Sequence, residues 1–546
     1  MKLLPKILFF SIFLFSAYVL KSQTDVGNAP IIPLKTSNSI LFGKDIIIND
    51  KPTQNQKRVA ICSAFNGWLY ALIGYNDPIH GTNASGSLLR STDSGISWSL
   101  LFDTYEGVGN SEYTRLDILA LGNTVADLKL FIVAVFKTSL AITGQAGVSV
   151  YDGDGSWKYN LFLAEGCYDM TVATDFIYPA ISSNPNSLGL IYSMYHQNFG
   201  DSLCYRYSSD GGITISSYKV ILATGNRLHK VALAYGRSPS WPSGRYFAAW
   251  EERDNLNTLL GHIYTSHSEP NFTSPFITPI QLDNIDPGNI NMCRNPTIAC
   301  QYNNVDNDSS NLTEIIMFDR YNAATQRYDV KGYHNLQTAN NTKFKPLNLT
   351  DSLHNNLTPD INFNPYDSTF MMTWHDSTAQ KLSLLAHNYR LHNPDQWTVV
   401  SPGYNDTSNL SLPYPKVAMN FGLHTGANAW IAQRSDGKGV AMFDAVSNTW
   451  GGVPGDGSIT NDRLIAVYPN PCNTSLNVAF KIIKPENVTI TLINLIGRSV
   501  ASFVDKPNPV GRYNQTFDVS NVSPGSYVLN FRAGNLIQTC KVVIIR

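Results

Sequence analysis

The sequence predicts an all-β protein: a β-propeller of seven blades followed by a small C-terminal β-sandwich. Three observations point there. Apolar and polar residues alternate with the period of strands and almost nowhere with that of helices. One strand–turn–strand pattern recurs seven times through the middle of the chain. Near residue 456 the composition changes, and a second set of short alternating strands runs from there to the end.

The repeats start at Lys57, Arg115, Tyr178, His229, Asn295, Thr358 and Tyr414, a spacing of 51 to 66 residues. That length holds four strands of about 5–6 residues with their connections. Four of the units open on a proline next to the starting residue, where a first strand residue need not donate to the ladder. A single four-stranded unit cannot bury both of its faces, whereas a closed ring of units can. An array of sandwiches is the structural alternative, and six or eight blades would also fit the spacing.

Before the repeats, Lys2 and Lys6 precede an apolar run from Ile7 to Leu20, and small Ser22 precedes Gln23. This is the pattern of a signal peptide over 1–22. The run is too short for a spanning helix, which needs about 20 residues, and no later stretch is long and apolar enough to serve as one. No cysteine follows it, so no lipid anchor is expected. The chain has 546 residues, a formal net charge of −1 and only 15% charged residues, so there is no basic field for nucleic acid. The seven cysteines form no C-x-x-C pair; an exported chain could pair some of them, but Cys62 and Cys300 fall in apolar strand patterns that suit buried thiols. The propeller is therefore expected over 23–455, a Gly/Pro/Asp linker over 456–463 and the sandwich over 464–546.

The stretch "STDSGISW" carries Ser91, Asp93, Gly95 and Trp98. It resembles the Asp box, S-x-D-x-G-x-x-W, of sialidase-like propellers. A second copy, "SSDGGITI", keeps Ser208, Asp210 and Gly212 but has Ile215 in place of Trp, and "YDGDGSW" at 151–157 and "RSDGKG" at 434–439 are degenerate echoes. Physics assigns these aspartates to structure. Each carboxylate can accept N–H bonds of a tight turn, and the glycine supplies a positive φ. The resemblance implies boxes at the blade periphery, away from a ligand face.

Sialidase activity is not expected. The resemblance would require an arginine triad, and the nearest match to its R-I-P motif is Arg294, two residues before Pro296. The corresponding positions of the other units are Asn55, Thr114, Ile177, Leu228, Leu357 and Pro413, so no triad arises there. The residues that start the inner strands, Gln56, Arg115, Tyr178, His229, Asn295, Thr358 and Tyr414, should ring one mouth of the channel. Tyrosines, a histidine, an arginine and amides could bind a glycan by stacking and amide hydrogen bonds; an ordinary solvated rim is the plainer alternative. As an enzyme, the chain would be a polysaccharide lyase or glycosidase, with His229, Tyr178 and Arg115 as the candidate acid–base pair and charge neutraliser. Tyr195 and His196 are strand neighbours and point apart, as do Glu251 and Glu252. A mouth crowded with Arg, His, Tyr and carboxylate would favour catalysis, and one of amides and aliphatics would favour binding. No cofactor is expected; "DNDSSN" (Asp306, Asp308, Ser310) alternates oxygens as calcium loops do but lacks their glycine and terminal glutamate.

The C-terminal block contains "YPNP" (468–471), "LINLIGRSV" (492–500), "SPGSYVL" (523–529) and a terminal "KVVIIR" (541–546). Taken together these resemble the type A C-terminal sorting domain of type IX secretion cargo. The resemblance implies export through the periplasm and outer membrane, with the secretion and attachment machinery as partners, and a mature protein that is surface-attached or released. Pro469, Asn470, Pro471, Gly497 and Gly525 are then turn-shaping residues. The expected function is a secreted or surface-bound binding or adhesion module for glycans or proteins.

Overall fold

The computed structural model describes residues 45–445 and 463–545, apart from connecting segments of which the longest are 176–186, 302–311 and 400–409. The first blade pairs Asn55–Ser63, Leu69–Asp77, Asn83–Ser91 and Ser99–Tyr105 in order. The fourth, fifth and sixth blades are likewise separate four-stranded sheets, beginning at Arg227, Cys293 and Asn356. Between the first and fourth lies one seven-stranded sheet that holds two blades. The seventh blade takes its outermost strand, Ile46–Ile47, from the other end of the chain, paired with Gly439–Ala445. The seven inner strands neighbour one another in a closed cycle, with Asn55–Ser63 lying beside Lys416–Asn420.

Packing explains the ring. Core clusters join neighbouring blades. Tyr70 and Leu88 of the first blade pack with Leu116 and Leu130 of the second, and Ile61 and Ala71 pack with Ala429 and Phe443 of the seventh. Trp250 and Trp430 are wholly buried between sheets. Each such side chain is worth roughly 1.5–3 kcal/mol when removed from water, and only the neighbouring blade supplies the cover. Gln56 locks the closure. Its amide donates to the Asn49 carbonyl at 2.9 Å and its oxygen accepts from the Ala441 N–H at 2.6 Å.

The second and third blades share one 18-residue strand, Trp157–Thr174. Residues to Glu165 pair with Gly144–Asp152, and those from Cys167 pair with Leu188–His196. Gly166 turns the corner with φ +70°, a conformation that favours glycine. This corrects the third repeat unit. Its inner strand is the second half of this strand, so Tyr168 takes the position assigned to Tyr178. The Tyr178–Pro179 pair imitates a blade start, but the chain enters this blade without a proline or a loop. Tyr178 itself lies outside the described residues.

The C-terminal strands form two sheets. One is Arg463–Tyr468, Ser475–Ile482 and Gly511–Asp518; the other has the order Ser499–Asn508, Glu486–Asn494, Gly525–Ala533 and Leu536–Ile544. Leu476, Val478 and Phe480 face Ile490, Leu492, Leu529 and Phe531 across a dry core. Gly497 makes the tight "NLIGR" turn at φ +81°, donating to the Asn494 carbonyl at 2.9 Å. Pro469, Asn470 and Pro471 lie outside the described residues, as do 1–44 and the "DNDSSN" stretch. All seven cysteines are free thiols, and all but Cys540 are buried.

Candidate functional site

The propeller has two ends, set by strand direction. Inner strands begin at the mouth end, where second strands pass to third strands. The turns from third to fourth strands lie at the opposite end. Both stretches that resemble an Asp box, Ser91–Trp98 and Ser208–Ile215, are such turns. Asp93 accepts the Ser97 N–H at 2.9 Å and hydroxyl at 2.6 Å, Ser91 donates to Asp93 at 2.7 Å, and the Gly95 N–H donates to the Ser91 hydroxyl at 2.8 Å. Ser208, Asp210, Gly212 and Thr214 repeat the pattern at nearly the same distances. A Cβ on Gly95 would sit 2.0 Å from the Phe443 ring, and one on Gly212 would sit 2.3 Å from Phe131. Both rings belong to the preceding blade. Trp98 packs edge-on against the same Phe443. At Asp210 the desolvation that would raise the carboxyl is outweighed by bonds from Thr214, Ser208 and Ile213, which hold it at about 2. The echo at 151–157 occupies the same kind of turn, whereas that at 434–439 is a second-to-third-strand hairpin at the mouth end.

At the mouth, six of the seven inner strands begin with a bulge, that of the third blade at Cys167/Asp169. The other register shifts fall at Gln56/Arg58, Tyr113/Arg115, Leu228/Val231, Arg294/Thr297 and Leu357/Asp360. A bulge lifts residues from the ladder and re-aims their side chains. In three adjacent blades the residue before the proline is left-handed: Asn295 at φ +54°, Thr358 at +52° and Tyr414 at +74°. Each costs on the order of 1–3 kcal/mol and must be over-determined by its surroundings. The constraint is visible. Glu251 accepts the Asn295 N–H at 3.0 Å, Asp319 accepts the Thr358 N–H at 2.7 Å, and the Thr358 hydroxyl accepts the Tyr414 N–H at 2.9 Å. Each bond crosses to the next blade.

These residues surround a small cavity of about 80 Å³ that also meets Arg58, Thr114, Arg115, Lys230 and Lys416. The Arg58 guanidinium lies 3.7 Å over the Tyr414 ring. Deeper in the channel, a cavity of about 280 Å³ is lined by all seven inner strands, with Asp117, Thr171, Thr297 and Asp360 among its polar groups. Arg115 reaches both cavities. It donates to Asp169 at 3.1 Å, Asp117 at 3.3 Å and the Val231 carbonyl at 3.1 Å. Asp360 accepts from Lys416 at 3.1 Å and from the Val417 N–H at 2.9 Å. Asp319, burial being the main cause, is pushed up to about 7 despite its bonds to Asn295 and Thr358.

Of the sequence-selected ring, the structure brings Arg115, Asn295, Thr358 and Tyr414 to the axial cavity. Gln56 is not a rim residue; it is wholly buried as the closure lock. His229 stands off the axis beside Tyr168, with ring centroids 5.1 Å apart. Burial, and then Arg253, Lys230, Arg227 and Lys137, hold its imidazole down at about 3, so it is neutral at any ordinary pH. Glu251 and Glu252 do face apart: Glu252 accepts from Thr224 and Asn226, both at 2.8 Å. The mouth residues that sequence reasoning missed are Arg58, Lys230, Lys416, Asp169 and Asp360. Their only sequence signal is position, one or two residues beyond a selected one or at the start of an inner strand. Among the described residues no group of three or more His, Cys, Asp or Glu side chains could hold a metal ion. Among the described residues no helix is long and apolar enough to cross a membrane.

Residues 466–546 match the family described as the secretion system C-terminal sorting domain. No curated protein matches the chain. Among solved structures, the chain is similar to an α-L-arabinanase of Penicillium chrysogenum complexed with arabinobiose, at 12% identity, covering 64% of this chain and 99% of that one with a TM-score of 0.43. It is similar to the NanB sialidase of Streptococcus pneumoniae at 11% identity, covering 64% and 70% with a TM-score of 0.39. It is also similar to PorZ, a bacterial surface component of the type IX secretion system of Porphyromonas gingivalis, at 10% identity, covering 90% and 70% with a TM-score of 0.29. The C-terminal sandwich is a sorting domain, and the chain is cargo of the type IX secretion system, delivered to the cell surface or the extracellular space.

Proposed function

We propose that the exported protein is a saccharide-binding surface module and that its ligand sits at the propeller mouth. The observation that supports this reading is the set of three adjacent left-handed rim residues, Asn295, Thr358 and Tyr414, around an open polar cavity. Strain of this kind persists where geometry matters. An amide, a hydroxyl and an aromatic ring covered by a guanidinium are groups suited to a polyol. The mouth is crowded with charge, the condition set above for an enzyme, but its carboxylates are already engaged: Asp169 and Asp360 each hold a backbone N–H and a cation. One group favours catalysis as a second reading. Asp319, at about 7, is in the range of a general acid at neutral pH, although Asn295 and Thr358 enclose it completely. The test is a glycan array and a polysaccharide-depolymerisation screen run together on the exported chain. Binding without new reducing or unsaturated ends is expected. New ends that disappear in Asp319→Asn would establish the enzyme instead, and binding of no saccharide would overturn the reading.

A further inference from the structure

Four consecutive ion pairs on the shoulder of the mouth, across the third, fourth and fifth blades, share one polarity. Arg227–Asp201 leaves the cation 24% exposed and the carboxylate 0%; Lys230–Asp169 gives 23% and 0%; Arg253–Glu251 gives 32% and 0%; Arg294–Asp319 gives 33% and 0%. The cause is the inter-blade stitching. Each carboxylate is turned inward by a backbone N–H: Leu228 on Asp201 at 2.9 Å, Val231 on Asp169 at 3.0 Å, Asn295 on Glu251 and Thr358 on Asp319. The cations are left on the outside. Two of them lie over aromatic faces, Arg227 at 4.6 Å from the Tyr195 ring centroid and Arg294 at 3.9 Å from that of Tyr328. A guanidinium lying over a ring keeps its N–H edge free to meet an anion. Arg227 and Arg253 are directly opposed strand partners, so their charges reinforce each other.

We propose that this shoulder is the subsite for the charged groups of an acidic oligosaccharide, which places carboxylate or sulfate substituents on Arg227, Lys230, Arg253 and Arg294 while the sugar rings occupy the axial cavity. This deepens, and rests on, the saccharide reading of the mouth. His229 reports on the local field. Its imidazole, beside Tyr168 and among Arg227, Lys230, Arg253 and Lys137, is held neutral although buried Asp169, Asp201 and Glu251 stand behind those cations. Burial is the larger cause of that depression and the four cations add to it, so an anion seated against them acts on the imidazole in the opposite sense.

The experiment follows the His229 side chain by NMR in the full exported chain, assigned with His229→Gln. The probes are galacturonate oligomers, low-mass dextran sulfate, a neutral arabino-oligosaccharide and single-stranded DNA. Galacturonate or dextran sulfate should shift the His229 ring signals at neutral pH, where both ligands are fully charged, and should bind more weakly in added salt. Lys230→Gln with Arg294→Gln, pairs whose buried carboxylates keep other partners, should weaken that binding about 10-fold and leave the melting curve near wild type. The response to galacturonate against that to dextran sulfate separates carboxylate from sulfate ester. Binding of the neutral oligosaccharide alone, with His229 unmoved, would overturn the acidic-ligand inference and leave the saccharide reading standing. Inorganic sulfate, added as a further probe, shifting the His229 signals while no oligosaccharide binds would keep the anion subsite and overturn the saccharide reading. DNA binding as tightly as the acidic sugars would overturn the subsite as a saccharide site.

Discussion

The two ends of the propeller use the same side chains in opposite ways. At the Asp-box end, Asp93 and Asp210 stand near the surface and take donors from within four residues. At the mouth, Asp169, Glu251, Asp319 and Asp360 are enclosed and take donors from the next blade, 62, 44, 39 and 57 residues away. The first arrangement folds a turn. The second fixes one blade against another and sets the shape and charge of a surface. An aspartate in a recognisable motif is thus the structural one here, and the carboxylates without a motif are those that build the candidate site.

Four perturbations would break or sharpen this contrast. Asp169→Ala removes an anion that holds Arg115 and the Val231 N–H in a dry interface, and should cost about 3–5 kcal/mol, read from the denaturation midpoint. Gly95→Ala asks a left-handed turn residue to place a Cβ inside the Phe443 ring, and should cost about 2–4 kcal/mol. A cost as large from Asp93→Asn would contradict the view that the exposed box carboxylate matters only locally.

The third perturbation uses pH. Asp319 and Glu314 are pushed up to about 7 and about 8, so the folded state binds protons that the unfolded state releases near pH 4. Their contribution is complete below pH 4 and declines as pH rises through those values. Asp210, held at about 2, acts in the opposite sense and only as pH falls below 4. The melting temperature should therefore gain from acidification between pH 8 and about pH 6.5, with a shallower gain in Asp319→Asn, while below that His229 and His375, held at about 3 and about 4, oppose the gain because the unfolded state takes up their protons first; an unchanged slope in that variant would remove Asp319 from the account. The smallest effect is that of Arg58→Ala, about 0.5–1 kcal/mol from the lost cation–π contact with Tyr414.

The contrast also explains what was legible in the sequence. Alternation showed the blades, and their ring followed because no single sheet could be covered otherwise. The turns at Asp93 and Asp210 were legible because their donors and acceptors are local. The sorting domain was legible because its turns recur as a set in order. The strand shared by the second and third blades was hidden, since Gly166 bends it without interrupting the alternation, and the Tyr178–Pro179 pair stood in as a false start. Gln56 was misplaced because the closure that buries it brings together residues about 385 positions apart. The cationic shoulder was invisible for the same reason: its polarity comes from which partner each carboxylate finds in the following blade.

The most direct measurement is saccharide binding by the full exported chain with one substitution at each end, Tyr414→Ala at the mouth and Asp93→Asn at the Asp box. The account predicts that Tyr414→Ala loses binding by about 10-fold or more, while Asp93→Asn binds as wild type once both are shown to be folded. Retained binding in Tyr414→Ala together with loss in Asp93→Asn would place the ligand face at the other end of the propeller and contradict the account.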